Sequence, residues 1–295
     1  MNTGENGGQS GGQNGDEESH QSREREADAA PAPDAPPAPN TPPVNPIRVV
    51  PCQGDIDIEI DHRASLPPDS AALASRWAAL CAENPRMHDG PVLAVASIDT
   101  PADPAAPHAV TRVRARVDAY RRLAVQPRVR TGVRLLGVTL VIVGAVDGRA
   151  AFLVARRGAG VRCYASAWEL GPSGGVGVPP ATITRVTTAD IARAALDELE
   201  EELGEAAAQL APGPASLSVR ALVHDDVANS VDVVLASSTP VAPDFARVLA
   251  TTWEYSHFAW IPCEDVVAWA DAHAAEVAPP TRALVAHWRA LMPMG

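Results

Sequence analysis

Asp197-Glu198-Leu199-Glu200-Glu201-Glu202-Leu203, followed by Gly204, reads as the last turns of a helix that begins near Thr188. At about 100° per residue, Leu196, Leu199 and Leu203 share one face, suited to packing on a sheet. Glu198, Glu201, Glu202 and Glu205 fall on a neighbouring face, spaced i, i+3, i+4 and i+7. Such a face is costly. Like charges at i,i+4 destabilise a helix by roughly 0.2–0.5 kcal/mol per pair. Carboxylates near a helix C-terminus oppose its dipole by roughly 0.3–1 kcal/mol each. A divalent cation would reverse both penalties. Carboxylate oxygens suit a hard ion such as Mg²⁺ or Mn²⁺, held together with waters and phosphate oxygens. A solvated acidic face is the plainer alternative for the same residues.

Upstream stands a Gly-rich loop, Gly171-Pro172-Ser173-Gly174-Gly175, preceded by a short strand ending in Trp168-Glu169-Leu170. Leu135–Val146 and Ala151–Ala155 flank Asp147-Gly148, a hairpin signal, because Gly tolerates the positive φ of a tight turn. Downstream, Leu217–Val223, Val231–Ala236 and Phe258–Ile261 read as strands. Asp265–Val277 and Thr281–Met292 read as helices. In the first half, Ile56, Ile58 and Ile60 alternate with acids, the period of a half-buried strand. Asp69 is placed to cap a helix through Trp77 and Leu80 that stops near Asn84-Pro85. Val92–Ile98 is a further strand, and Pro101–Pro107 a loop. Strands interleaved with helices predict an α/β or α+β sandwich.

Residues 1–46 differ from the rest, with eight Pro, six Gly and eight acids against two Arg. Such a segment buries too little apolar surface to offset its ordering entropy, which predicts a disordered acidic tail. Over all 295 residues, 36 acids face 24 basic residues, every one of them Arg, for a net charge of −12. That balance lacks the basic footprint of a nucleic-acid binder. The longest apolar run, Leu135–Val146, is too short for a membrane-spanning helix, and no signal-peptide pattern opens the chain. Cys52, Cys81, Cys163 and Cys263 stand at no metal-ligand spacing and are expected to be reduced. The expectation is a soluble cytoplasmic protein.

The segment Trp168–Val176 followed by Glu198–Gly204 resembles the loop–helix signature of Nudix hydrolases, G-x5-E-x7-R-E-U-x-E-E-x-G-U with U aliphatic. Gly175 takes the first Gly, Leu199 the aliphatic site and Gly204 the closing Gly. Glu198, Glu201 and Glu202 take the three glutamates that ligate metal in that family. The sequence departs from the pattern in places. Gly175 to Asp197 spans 22 residues where the pattern has 14, and no Glu lies between them. Asp197 replaces the Arg, and Glu205 the final aliphatic residue. Trp77, Asn84-Pro85-Arg86, Gly90-Pro91-Val92-Leu93, Asp118–Arg121 and Gly137-Val138-Thr139 look like the layout of an atypical subgroup similar to the UDP-glucose/UDP-galactose pyrophosphatase. That subgroup has an N-terminal extension and an inserted box.

The resemblance implies an α/β/α sandwich around a mixed sheet, in a Nudix-like hydrolase domain at 132–295 preceded by an α+β extension at 47–131. It implies Mg²⁺- or Mn²⁺-dependent hydrolysis of a nucleoside diphosphate linked to another moiety, with a small nucleotide-type substrate and no nucleic acid or membrane as partner. Glu201 and Glu202 are then metal ligands, and Glu198 a ligand or the base. Glu254 is placed to complete the set, with a surface carboxylate as its alternative. Arg156, Arg157, Gly174 and Gly175 are candidates for phosphate, the arginines otherwise being solvated strand ends. Asp225 and Asp226 read as a turn, and His224 and His257 as structural. Trp253, Tyr255 or Trp260 could stack on a base or simply pack. A catalytically degenerate module that senses a nucleotide-like ligand is the alternative function, and a scaffold acting through the tail a third.

Overall fold

A computed structural model describes residues 46–103, 106 and 108–292; the tail assigned to 1–46 lies, apart from Pro46, outside them. The strands β1 (Ile47–Pro51) and β2 (Asp55–Asp61) precede α1 (Ala71–Glu83), and β3 (Pro91–Asp99) and β4 (Val110–Ala119) lead into α2 (Tyr120–Ala124). Next come β5 (Leu135–Val141), β6 (Val143–Val146), β7 (Arg149–Arg157), β8 (Trp168–Leu170), β9 (Ser173–Gly175) and β10 (Arg185–Thr187). Helices α3 (Thr188–Leu203) and α4 (Glu205–Leu210) are followed by β11 (Leu217–Asp225) and β12 (Ser230–Ser237). The order closes with α5 (Phe245–Val248), β13 (Tyr255–Pro262), α6 (Val266–Ala272), α7 (Pro279–Val285) and α8 (Trp288–Leu291).

Ile56, Ile58 and Ile60 are buried and their acidic neighbours are not, so β2 follows its period-two pattern. It lies in a mixed sheet of order β1-β11-β12-β5-β3-β4-β2-β10, with β9 on β5. The β12–β5 and β2–β4 pairs are parallel and the others antiparallel. Strands from 47–131 and from the later chain are interleaved in it: β1 pairs β11, β2 pairs β10, and β3 meets β5 at Ala94 and Leu135. A smaller antiparallel sheet runs β13-β7-β6, with β8 on β7. On one face of the large sheet, α3 packs Ile191, Ala195, Leu199 and Leu203 against Leu136, Val138, Leu222 and Val233. On the other, Val266, Leu284 and Leu291 of the last three helices pack against Val141, Val223 and Val234. Helix, sheet and helix form the three layers expected. No helix among the described residues is long and apolar enough to cross a membrane.

Several boundaries correct the expectation. The cap of α1 is Ser70, whose Oγ accepts from Leu73 N, while Asp69 instead pairs with Arg121 and Arg122. The apolar run Leu135–Val146 is two strands, since the chain leaves the large sheet after Val141 and enters the smaller one at Val143. Both strands are apolar on both faces, so no polar residue marks the crossing. The hairpin at Asp147-Gly148 forms as read, with φ of 51° and 76°. Thr281–Met292 is broken near Ala286, where His287 N bonds Leu284 O in a tighter turn. Asp265–Val277 stops as a helix at Ala272.

Candidate active site

Both ends of α3 are fixed. Asp190 Oδ2 accepts from Thr187 N and Thr187 Oγ1 at its start, and those bonds hold its carboxyl below the usual range. Thr188 Oγ1 reaches across to Ile56 N and Asp55, tying the helix to β2. Gly204, at φ 95°, ends it and starts α4, which takes Glu205 off the α3 face and onto Gln209. The remaining carboxylates differ. Glu202 is 5% exposed, Glu198 half-buried and Glu201 exposed.

Glu198 and Glu202 meet the Gly-rich loop, now seen to contain β9. Ser173 N donates to Glu202 Oε2 at 3.1 Å. A Cβ at Gly174 would lie 2.0 Å from the Glu198 carboxyl carbon, so only glycine leaves that carboxyl its place. Gly174 pairs with Val138 and so turns the same way, toward α3. Beneath the loop, Glu169 accepts from Arg157 Nη1 and from the Tyr255 hydroxyl, each at 2.5 Å. The same hydroxyl contacts Gly171 O at 3.2 Å. Glu254 enters from the segment before β13, where Gly158 N donates to its carbonyl at 2.6 Å.

Burial and like charge act together on these carboxyls. Glu198 is pushed up to about 7, by burial first and then by Glu201, Glu254 and Asp197. Glu202 stands well above the ordinary carboxylate range, again through burial, then through Glu169, Glu254 and Glu198, with Arg157 opposing. Glu254 is raised by burial against the pull of Arg157. Burial also raises Glu169 despite Arg157. Arg157 itself is penalised by burial, but Glu169 outweighs this and raises it.

Oxygen donors that repel one another out of water are the chemistry a hard divalent cation takes. In that respect the set fits Mg²⁺ or Mn²⁺. Among the described residues no three His, Cys, Asp or Glu side chains are gathered to enclose an ion. Waters and phosphate oxygens would therefore complete the ligand shell, as is usual for Mg²⁺.

No protein-family model matches the chain, and no curated protein does. Solved structures do, over about half of it. The chain is similar in structure to Nudix proteins. The NUDIX domain of NrtR from Shewanella oneidensis, complexed with ADP ribose, shares 18% identity over 56% of this chain and 91% of its own, with a TM-score of 0.35. A NUDIX hydrolase from Alicyclobacillus acidocaldarius shares 12% over 52% and 90%, at 0.36. An Ap4A hydrolase from C. elegans shares 18% over 52% and 96%, at 0.30.

Of the candidates named from sequence, the fold places Glu198, Glu202 and Glu254 near one another, with Gly174 against Glu198 and Arg157 among the charges acting on Glu202 and Glu254. Glu201 is exposed, and Gly175 faces away from α3. Arg156, one residue from Arg157 and so on the other face of β7, pairs with Glu276 and covers Trp168. Tyr255 and Trp260 pack, Tyr255 at 1% exposure, whereas Trp253 is 51% exposed with the Arg86 guanidinium over its ring. Asp225 forms the expected turn, accepting from Val227 N and Ala228 N. Sequence reading missed Glu169 as a site residue. Its signal was a lone acid inside an apolar strand end, next to the Gly loop.

Proposed function

We propose that the chain is a metal-dependent hydrolase of the Nudix kind, cleaving the diphosphate of a nucleoside diphosphate linked to another moiety. One observation carries this reading. Glu198 and Glu202 close on Gly174 and Ser173 even though the connection between loop and helix is eight residues longer than the family pattern. Glu198, Glu201 and Glu202, with Glu254, would hold Mg²⁺ or Mn²⁺, which when bound neutralises phosphate charge and lowers the pKa of a water. In the alternative role, as base and not as ligand, Glu198 would take the proton of the attacking water. Water attack at phosphorus then yields a nucleoside monophosphate and a phosphorylated moiety.

The Arg and first Glu of the family box brace its loop, and neither is present in place here. Arg157 and Glu169, locked by Tyr255, supply a brace from neighbouring strands. They hold the segment from which Ser173 N reaches Glu202. Arg157 is thereby committed to Glu169, which leaves the backbone of Gly174 and Gly175 as the nearer candidate for phosphate.

A panel of nucleoside diphosphate sugars, dinucleotides and nucleoside triphosphates, incubated with Mg²⁺ or Mn²⁺, tests this directly. The expected result is monophosphate release that stops when a chelator is added. Nucleotide-induced thermal stabilisation without release from any member would overturn it. That outcome would favour a ligand-sensing module.

A further inference from the structure

Behind the Gly loop lies a cavity of about 170 Å³, bounded by β9, β5, β12, α7 and the loop after β7. It reaches Ser173 and Gly174, whose other contacts are Glu202 and Glu198, and so adjoins the carboxylate site. Sites that enclose a whole small ligand run to roughly 300–1,000 Å³. This one has room for a single ring system. Leu135, Leu170 and Leu284 give it aliphatic walls, and Tyr164 adds an aromatic one. Tyr164 is held there at φ 54°, with its hydroxyl bonded to Asp225 Oδ2 at 2.8 Å.

Much of the remaining lining is polar, with Arg157, Arg162, Glu169, Asp225 and Asp232 of β12 as its charged groups. Ser230 Oγ donates to Asp232 Oδ2 at 3.0 Å, and Oδ1 has no hydrogen-bond partner among the described residues. A Cβ at Gly137 would lie 1.9 Å from Oδ1, so the glycine makes the space the carboxyl occupies. Burial raises this acid to about 7, with the Ser230 hydrogen bond opposing.

We infer that this cavity receives the base of the nucleotide and that Asp232 reads it, selecting a base whose edge presents N–H donors. The leucines and Tyr164 suit the faces of a heteroaromatic ring, and a carboxyl in the lining suits a donor at its edge. Guanine offers two adjacent donors, a ring N–H and an amino group, to one carboxyl. Uracil offers a single N–H between two carbonyls. The inference deepens the hydrolase reading and rests on it for the nucleotide, but base binding is measurable without turnover.

Calorimetric titration of the full chain with guanosine, adenosine and uridine monophosphates, without added metal, is the test. Guanosine monophosphate should bind tightest, by roughly tenfold. Asp232→Asn should erase the preference, while Glu202→Gln keeps it. Equal affinities, or a preference unchanged in Asp232→Asn, would overturn the inference. Should that variant fail to fold, alkylation of Cys163, which lines the cavity, gives a second reading on wild type. Guanosine monophosphate should slow it, and unchanged alkylation at saturating nucleotide would overturn the proposal. A guanine preference without hydrolysis would sink the hydrolase alone. Hydrolysis without base preference would sink the base subsite alone.

Discussion

Glu198 shows how one side chain couples fold and chemistry. Its carboxyl moves from 4.5 to about 7 on folding, so between those values the folded chain holds a proton that the unfolded chain has released. Linkage then requires its contribution to stability to fall as pH rises through that window. His224, lowered to about 4 by burial, Arg48 and Arg134, acts with the opposite sign over pH 4 to 6.5. A difference between variants removes that term. The melting temperature of Glu198→Gln minus that of wild type should grow from pH 5 to pH 8, and a constant difference would contradict the assignment. At Gly174, the atoms an added Cβ would meet are the far end of a flexible side chain, so Gly174→Ala should fold but displace Glu198. Near-wild-type melting with at least tenfold lower turnover is expected; full activity would show that Glu198 does not need its place. The helix glutamates were legible because their spacing is local. Glu169 and Asp232 were not, since Arg157, Tyr255, Ser173 and Gly137, which define their roles, come from elsewhere in the chain.

Among the elements, α3 was read with its observed bounds because its ends carry local signals, Thr187 with Asp190 at one end and Gly204 at the other. Asp190→Ala should therefore lower stability by about 1 kcal/mol, visible as a shift in the denaturant midpoint at unchanged slope. The β6–β7 hairpin rests on Gly148 at φ 76°, with open space around its Cα. Gly148→Ala should cost about 1 kcal/mol through backbone strain alone. No loss would mean the turn relaxes to another form. Strand β4 went unread although Thr111, Val113 and Ala115 alternate with arginines and are buried. Strand β10 has three residues, too few for a period to show. The break at Ile142 was invisible for a physical reason: Leu140, Val141, Ile142 and Val143 are all apolar and all buried.

Over the whole molecule, the interleaved sheet makes residues 47–131 structural support for the site. Without them β11 would lose β1, and α3 would lose its anchor at Asp55 and Ile56. A chain of residues 132–295 alone should thus lack a cooperative thermal transition in circular dichroism, and a sharp one would refute this dependence. An α/β or α+β sandwich was legible from interleaved strands and helices and its three layers from the family resemblance, whereas the strand order was not legible, because long-range pairing leaves no local mark. What the fold achieves is to carry a Gly loop, a helix and the Glu254 segment to one place. The decisive measurement is monophosphate release from the best substrate of the panel, under saturating Mg²⁺, by wild type and by Glu202→Gln. Loss of a buried carboxylate at the reacting centre should remove several kcal/mol of transition-state stabilisation, a fall of at least about a hundredfold. Equal rates in the two proteins would contradict a hydrolytic site built on α3.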